Sequence, residues 1–306
     1  MSEREENTIP AYATETEPGL AGDPMSEPTA PSETPESEVF IDEAPPEPTT
    51  DTNVQPKEPE TTPREEPVIT IRGLCKSFTD HEVLRGVDLH VNKGENLVIL
   101  GKSGTGKSVL IKCLVGLEWP DSGVINILCQ DISTLNYGEM NALRLRIGFL
   151  FQNAALYDSM TVRENLNFPL RQHKKKMPQT EKNALIMEML DNVGLVDSVD
   201  QLPSRLSGGQ SKRIGLARTL ILHPEIMLYD EPTTGLDTGT AKEISELICH
   251  TKKKFNISSI TITHDMACAK MTADRIILLK DGIVYAEGSY EDLENSEDEW
   301  IRTFFY

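Results

Sequence analysis

The residues best equipped for chemistry begin at Gly101. Gly101-Lys102-Ser103-Gly104-Thr105-Gly106-Lys107-Ser108 has the spacing G-x-x-x-x-G-K-[ST], which suits a loop wrapped around phosphate. Glycines at 101, 104 and 106 let the backbone curl with no Cβ in the way, so that its N–H groups can converge on an anion at a helix N-terminus. Lys107 can then reach the outer phosphates as a point charge, and the Ser108 hydroxyl can hold Mg²⁺. Ser207-Gly208-Gly209, inside Leu206-Ser207-Gly208-Gly209-Gln210, spells a second anion-binding helix start. Asp230-Glu231 closes the apolar run 226–229. Charge is costly to desolvate at the end of a buried strand, so metal binding and proton transfer are the chemistry such a pair serves. Gln152 follows the apolar run 147–151, which puts an amide at the ligand edge of an open α/β sheet.

These groups need strands that end, and helices that start, along one edge. Residues 96–100 read as the strand feeding the glycine-rich loop, and 109–117 as the helix leaving it. Residues 68–71 and 83–91 read as strands of a small antiparallel sheet, with a turn at Lys93-Gly94-Glu95. A turn at 120–123, a short strand at 124–127 and a helix at 137–146 follow. The fully apolar run 147–151 is of the kind found inside a parallel sheet. Residues 153–205 change character: helices at 162–170 and 181–193 flank a solvated Lys174-Lys175-Lys176. Helices are expected at 214–222 and 240–253, and a strand at 258–263. Apolar runs 276–279 and 283–286 flank Asp281-Gly282, the signal for a hairpin with a type I′ turn. The aromatic end, Trp300-Ile301-Arg302-Thr303-Phe304-Phe305-Tyr306, is expected to pack onto its own domain.

Charge is unevenly spread. Of a net −19, residues 1–66 carry −15, from 18 acidic and 3 basic side chains, which leaves −4 for residues 67–306. The first segment is rich in Glu, Pro, Thr and Ser and poor in large apolar residues, so it cannot offset its own ordering entropy and is expected to be disordered. The near-neutral remainder suggests no nucleic-acid surface. Five widely spaced cysteines without a C-x-x-C pair read as reduced thiols of a cytoplasm. The acidic start lacks the apolar core of a targeting peptide. No apolar run approaches the roughly 20 residues that span a bilayer.

Leu206-Ser207-Gly208-Gly209-Gln210, followed by Arg213 and Ala217-Arg218, resembles the signature of the ATP-binding-cassette (ABC) ATPases. The resemblance covers roughly residues 68–288, with the glycine-rich loop, Gln152, the signature, Asp230-Glu231, Asp237 and His264 in the family's order. It implies an α/β fold: a P-loop NTPase core of ABC type, an antiparallel β subdomain and an α-helical signature subdomain at about 153–222. ATP and Mg²⁺ are the implied ligands. Phe78, by itself a core aromatic, matches the position that stacks on adenine, where Tyr is commoner. Residues 101–109 (Gly101, Lys102, Ser103, Gly104, Thr105, Gly106, Lys107, Ser108 and Val109) match the phosphate loop, and Asp237 a further nucleotide position. Ser108, Gln152 and Asp230 match the Mg²⁺ positions, Glu231 the carboxylate that polarises water, and His264 the γ-phosphate switch. Ser207, Gly208, Gly209 and Gln210 match the segment that completes the opposite copy's site. A homodimer with ATP sandwiched between copies is therefore implied.

Residues 106–112, 151–162 and 165–170 resemble Mla-type ATPases, which power phospholipid or other hydrophobic-substrate transport. The implied protein is an ATP-hydrolysing subunit, peripheral on the cytoplasmic face of the membrane, that drives a separate integral permease. A substrate-binding protein is a further candidate partner. Alternatives are an importer ATPase for a small polar solute, a soluble ABC ATPase acting on nucleic acid, and a non-hydrolysing sensor. The near-neutral folded part argues against the nucleic-acid alternative, and the intact Glu231 and His264 argue against the sensor.

Overall fold

Alternation with period two decides which way each central strand faces. In β3 (Asn96–Leu100), Leu97 and Ile99 enter one apolar core while Val98 and Leu100 enter another on the opposite face. In β9 (Arg275–Lys280), Ile277 and Leu279 divide from Ile276 and Leu278 in the same way. Both faces are therefore covered, which is the condition for a parallel sheet. The computed structural model describes residues 67–79 and 81–306. The acidic segment 1–66 and its expected disorder lie outside the described residues.

Two sheets make up the scaffold. The smaller is antiparallel, in the order β2-β1-β4-β5, from β1 (Ile69–Phe78), β2 (His81–Val91), β4 (Ser122–Ile127) and β5 (Gln130–Asp131). The larger has six strands, in the order β10-β9-β3-β8-β7-β6. Its other members are β6 (Ile147–Leu150), β7 (Ile226–Asp230), β8 (Ser258–Ile262) and β10 (Ile283–Gly288). Within it β9, β3, β8, β7 and β6 run parallel, and β10 pairs antiparallel with β9. The hairpin turn has φ of 48° at Asp281 and 80° at Gly282, the left-handed pair a type I′ turn needs.

Helix α1 (Lys107–Leu114) follows β3, and α2 (Tyr137–Arg144) precedes β6. The helix expected at 109–117 ends early, because Gly116 turns the chain at φ 63°. Helices α3 (Val162–His173), α4 (Gln179–Asn192) and α5 (Gly208–Leu220) share a core of their own, with Leu166, Ile186, Met189 and Ile214 against Met227 and Tyr229 of β7. The remaining helices are α6 (Thr238–Phe255), α7 (Met266–Thr272), α8 (Tyr290–Glu294) and α9 (Glu299–Arg302).

Two expectations need correction. The apolar run 147–151 is not interior to its sheet: β6 is the edge strand, and α2 and α5 pack against it. Composition reports that cover, not the position in the strand order. The apolar helix expected at 214–222 extends back to Gly208: Ser207 and Gln210 close a capping box, so the helix start read at Ser207-Gly208-Gly209 is the first turn of α5.

Trp300, Phe304 and Phe305 pack against the core of Val98, Leu100, Ile276 and Leu278, as expected for an aromatic end folded onto its own domain. Lys280 lies 4.1 Å from the Tyr285 ring centroid and 4.6 Å from that of Trp300. Burial pushes the Cys113 and Cys268 thiols up to about 11, which makes them inert core residues. Among the described residues, no helix is long and apolar enough to cross a membrane.

Candidate active site

The parallel strands deliver their C-terminal ends to one edge. There a cleft of about 680 Å³ gathers residues 101–104 and 106–109 with Gln152, Glu231 and His264. β3 supplies the glycine-rich loop, β6 leads to Gln152, β7 to Glu231, and β8 to His264.

The glycines of the loop serve different ends. Gly106 has φ 98°, and a Cβ there would sit 2.8 Å from the Val83 carbonyl oxygen, so both conformation and space exclude other residues. At Gly101 the problem is space alone: a Cβ would meet the Leu279 carbonyl oxygen at 2.5 Å. Thr105 closes the loop internally, its hydroxyl donating to the Lys102 carbonyl at 2.9 Å. Lys107 is buried and donates to the carbonyls of Gly101 (2.7 Å) and Lys102 (2.9 Å). Desolvation lowers its pKa, against the opposing pull of Glu231 and Asp230.

Burial raises the pKa of Asp230, and the neighbouring Glu231 charge adds to the rise; the Ser108 hydroxyl, hydrogen-bonded to it, works the other way. Its Oδ1 is buried with no hydrogen-bond partner. Among the described residues no cluster of three or more His, Cys, Asp or Glu side chains could hold a metal alone. The donors present, the Ser108 hydroxyl, the Gln152 amide and the under-satisfied Asp230 carboxylate, fit Mg²⁺ and would hold it there.

A pH dependence follows. A carboxyl whose pKa rises on folding stabilises the native state at low pH, and that contribution is lost as pH rises past the ordinary carboxylate range. Denaturation of the nucleotide-free protein should therefore show a stability loss across that window, and Asp230→Asn should flatten it. An identical profile in the variant would remove Asp230 as the cause.

Glu231 lies just beyond β7 with φ 51°, a left-handed backbone unusual outside glycine. Its Oε2 accepts from the Thr234 hydroxyl at 3.0 Å and lies 2.8 Å from His264 Nδ1. Its side chain is 15% exposed while that of His264 is 66% exposed, so the imidazole reaches out from a carboxylate set deeper in the wall.

Other expected site residues stand apart. Ser207 and Gly208 are exposed and do not line this cleft. The Gln210 side chain is spent on the capping box, accepting from the Ser207 N–H at 2.9 Å. Asp237 is the N-cap of α6, accepting from Gly239 and Thr240 N–H groups. Phe78 is 40% exposed, not a core aromatic, with the Lys76 ammonium 5.1 Å from its ring centroid; it does not line the cleft.

Several contributors escaped the sequence reading. Val83, Thr303 and Phe304 line the cleft, the last two some 200 residues along the chain from the loop they face. The aromatic end was the available signal, but its location needed the fold. Arg218, in the stretch after the signature, has its partners fixed only by the fold: it donates to the carbonyls of Ala155 (2.8 Å) and Ala154 (3.2 Å), which hold left-handed φ of 49° and 55° just after Gln152.

Comparison with known proteins places the fold in a family. Residues 84–234 match the family model described as ABC transporter. The chain is 37% identical over 222 residues to the methionine import ATP-binding protein MetN of Brucella abortus, covering 72% of this chain and 60% of that protein. It is 39% identical over 230 residues to the sulfate/thiosulfate import ATP-binding protein CysA of Bradyrhizobium diazoefficiens, covering 74% and 65%. The chain thus spans somewhat less than two thirds of the length of these relatives. A dimeric, post-hydrolysis ATP-binding cassette bound to ADP and Pi superposes with a TM-score of 0.67 at 30% identity, covering 72% of this chain and 98% of that one.

Proposed function

We propose that this chain, which belongs to the ABC transporter family, hydrolyses ATP at sites shared between two copies of itself and passes the resulting motion to a separate membrane permease. One observation carries the reading. The glycine-rich loop, Gln152, Glu231 and His264 converge, while Ser207 and Gly208, the exposed start of α5, lie outside that cleft. A helix start that offers unpaired N–H groups and positive dipole is an anion site, and a second copy can bring it to the cleft of the first.

Within each site, the loop N–H groups and Lys107 stabilise charge on the transferring phosphoryl group. Mg²⁺, held by Ser108, Gln152 and Asp230, would add charge neutralisation. Glu231 orients the attacking water and accepts its proton, with Thr234 and His264 fixing the carboxylate. Phe78 offers an exposed aromatic face to the base.

The names of the relatives, importers of methionine and of sulfate or thiosulfate, support a small polar solute over the phospholipid cargo suggested by the Mla-type resemblance. The assembly proposed is an importer with an integral permease and a substrate-binding protein. In it residues 67–306 form the ATPase domain on the cytoplasmic face, and 1–66 an appended acidic segment. ATP should convert the Glu231→Gln protein from monomer to dimer in light scattering, and adding Ser207→Arg should keep it monomeric. A monomer with ATP in both variants would overturn the shared site. Identifying the co-purifying permease tests the cargo.

A further inference from the structure

Lys212 is a charged residue in a place that packing alone would fill with an apolar one. It lies on α5, five residues after Ser207, and is 6% exposed. Its Nζ donates to the backbone carbonyl of Glu231 at 3.1 Å. Burying an ammonium is costly unless it is paired. Desolvation lowers its pKa, and the attraction of Glu231 works against that.

The acceptor is unusual too. Left-handed backbone at a non-glycine residue persists only where the surroundings hold it. Glu231 is held from three sides. Its N–H donates to the Ile262 carbonyl at 2.8 Å, its carboxylate meets Thr234 and His264, and its carbonyl accepts from Lys212 Nζ at 3.1 Å and, within its own turn, from the Thr234 N–H at 3.3 Å. The first two ties belong to β8 and to the loops leaving β7 and β8. Among the described residues, only Lys212 ties Glu231 to the helix that also presents Ser207 and Gly208.

We propose that Lys212 is a positioning residue, which pins the left-handed Glu231 backbone to α5 so that the docking of one copy's signature helix sets the aim of that same copy's carboxylate. The proposal rests on the ATPase reading above. It makes each copy's hydrolysis depend on whether its own α5 is seated, because helix and carboxylate move together.

The test uses the full-length chain with any membrane partner it retains. Lys212→Met keeps an unbranched side chain, one atom shorter, and removes the donor. Turnover should fall ~10–100-fold, the scale of a small misplacement of a reacting group. Affinity for a fluorescent ATP analogue should stay within about twofold, with the melting midpoint no lower. Lys212→Gln, a shorter neutral donor, should lie between parent and Lys212→Met. If Lys212→Met does not fold, Lys212→Gln decides alone: at least about threefold slower turnover at kept affinity supports the role. Unchanged turnover in either variant overturns it, as does a turnover loss matched by lost affinity and a lower melting midpoint. A parent chain without ATPase activity overturns both proposals, whereas an active parent with an equally active Lys212→Met overturns this one alone.

Discussion

Glu231→Gln should bind Mg·ATP as the parent does and hydrolyse it on the order of 10²–10⁴-fold more slowly, the usual weight of general acid–base help. The substitution keeps shape. Glutamine can accept from the Thr234 hydroxyl with its amide oxygen, so the 3.0 Å contact survives, but it cannot take a proton from water. Binding should persist because the groups proposed to receive phosphate, the loop N–H groups and Lys107, belong to another strand's end. Removing the charge also relieves Asp230, whose pKa is raised by burial and then by Glu231, so metal-dependent affinity should not fall. Single-turnover hydrolysis and equilibrium binding on the same preparation separate the two effects. Unchanged turnover would remove Glu231 from the chemistry, and lost binding would make it a structural residue.

Lys107→Ala should do the reverse and weaken nucleotide binding itself, about 10- to 100-fold, as expected for one charge-assisted hydrogen bond of about 1.5–3 kcal/mol. Two of the three ammonium donors hold the carbonyls of Gly101 and Lys102, which leaves one for phosphate. The alanine variant loses that donor and also unties the loop, so affinity falls for two reasons. Titration with ATP and with ADP distinguishes them: a contact to the outermost phosphate costs ATP more than ADP, whereas an untied loop costs both alike. Parent-like affinity for both would dismiss Lys107 from the site.

Much of the fold was legible because its signals are local. The run 96–100 before the glycines, the apolar strand ending in Asp230-Glu231 and the Asp281-Gly282 turn each follow from a few neighbouring residues, and each stands where expected. The errors were of range. The apolar periodicity that signals the helix begins only at Ile214, while its first turn, residues 208–213, is set by a capping box between Ser207 and Gln210. The apolar run 147–151 reads as an interior strand, but a covered edge strand such as β6 needs the same residues.

The sequence by itself determined which residues could meet phosphate and metal, since spacing across one turn fixes the loop and strand-end chemistry fixes the carboxylates. Only the tertiary structure decided which of them meet: Gln152, Glu231 and His264 line the cleft of the glycine-rich loop, while Ser207 and Gly208 are exposed outside it. It also decided that Thr303 and Phe304 wall that cleft and that Lys212 reaches the Glu231 carbonyl. The physical reason is that such meetings depend on how strands order within a sheet and how helices pack across it. Those are long-range burial choices, and no short window of residues encodes them.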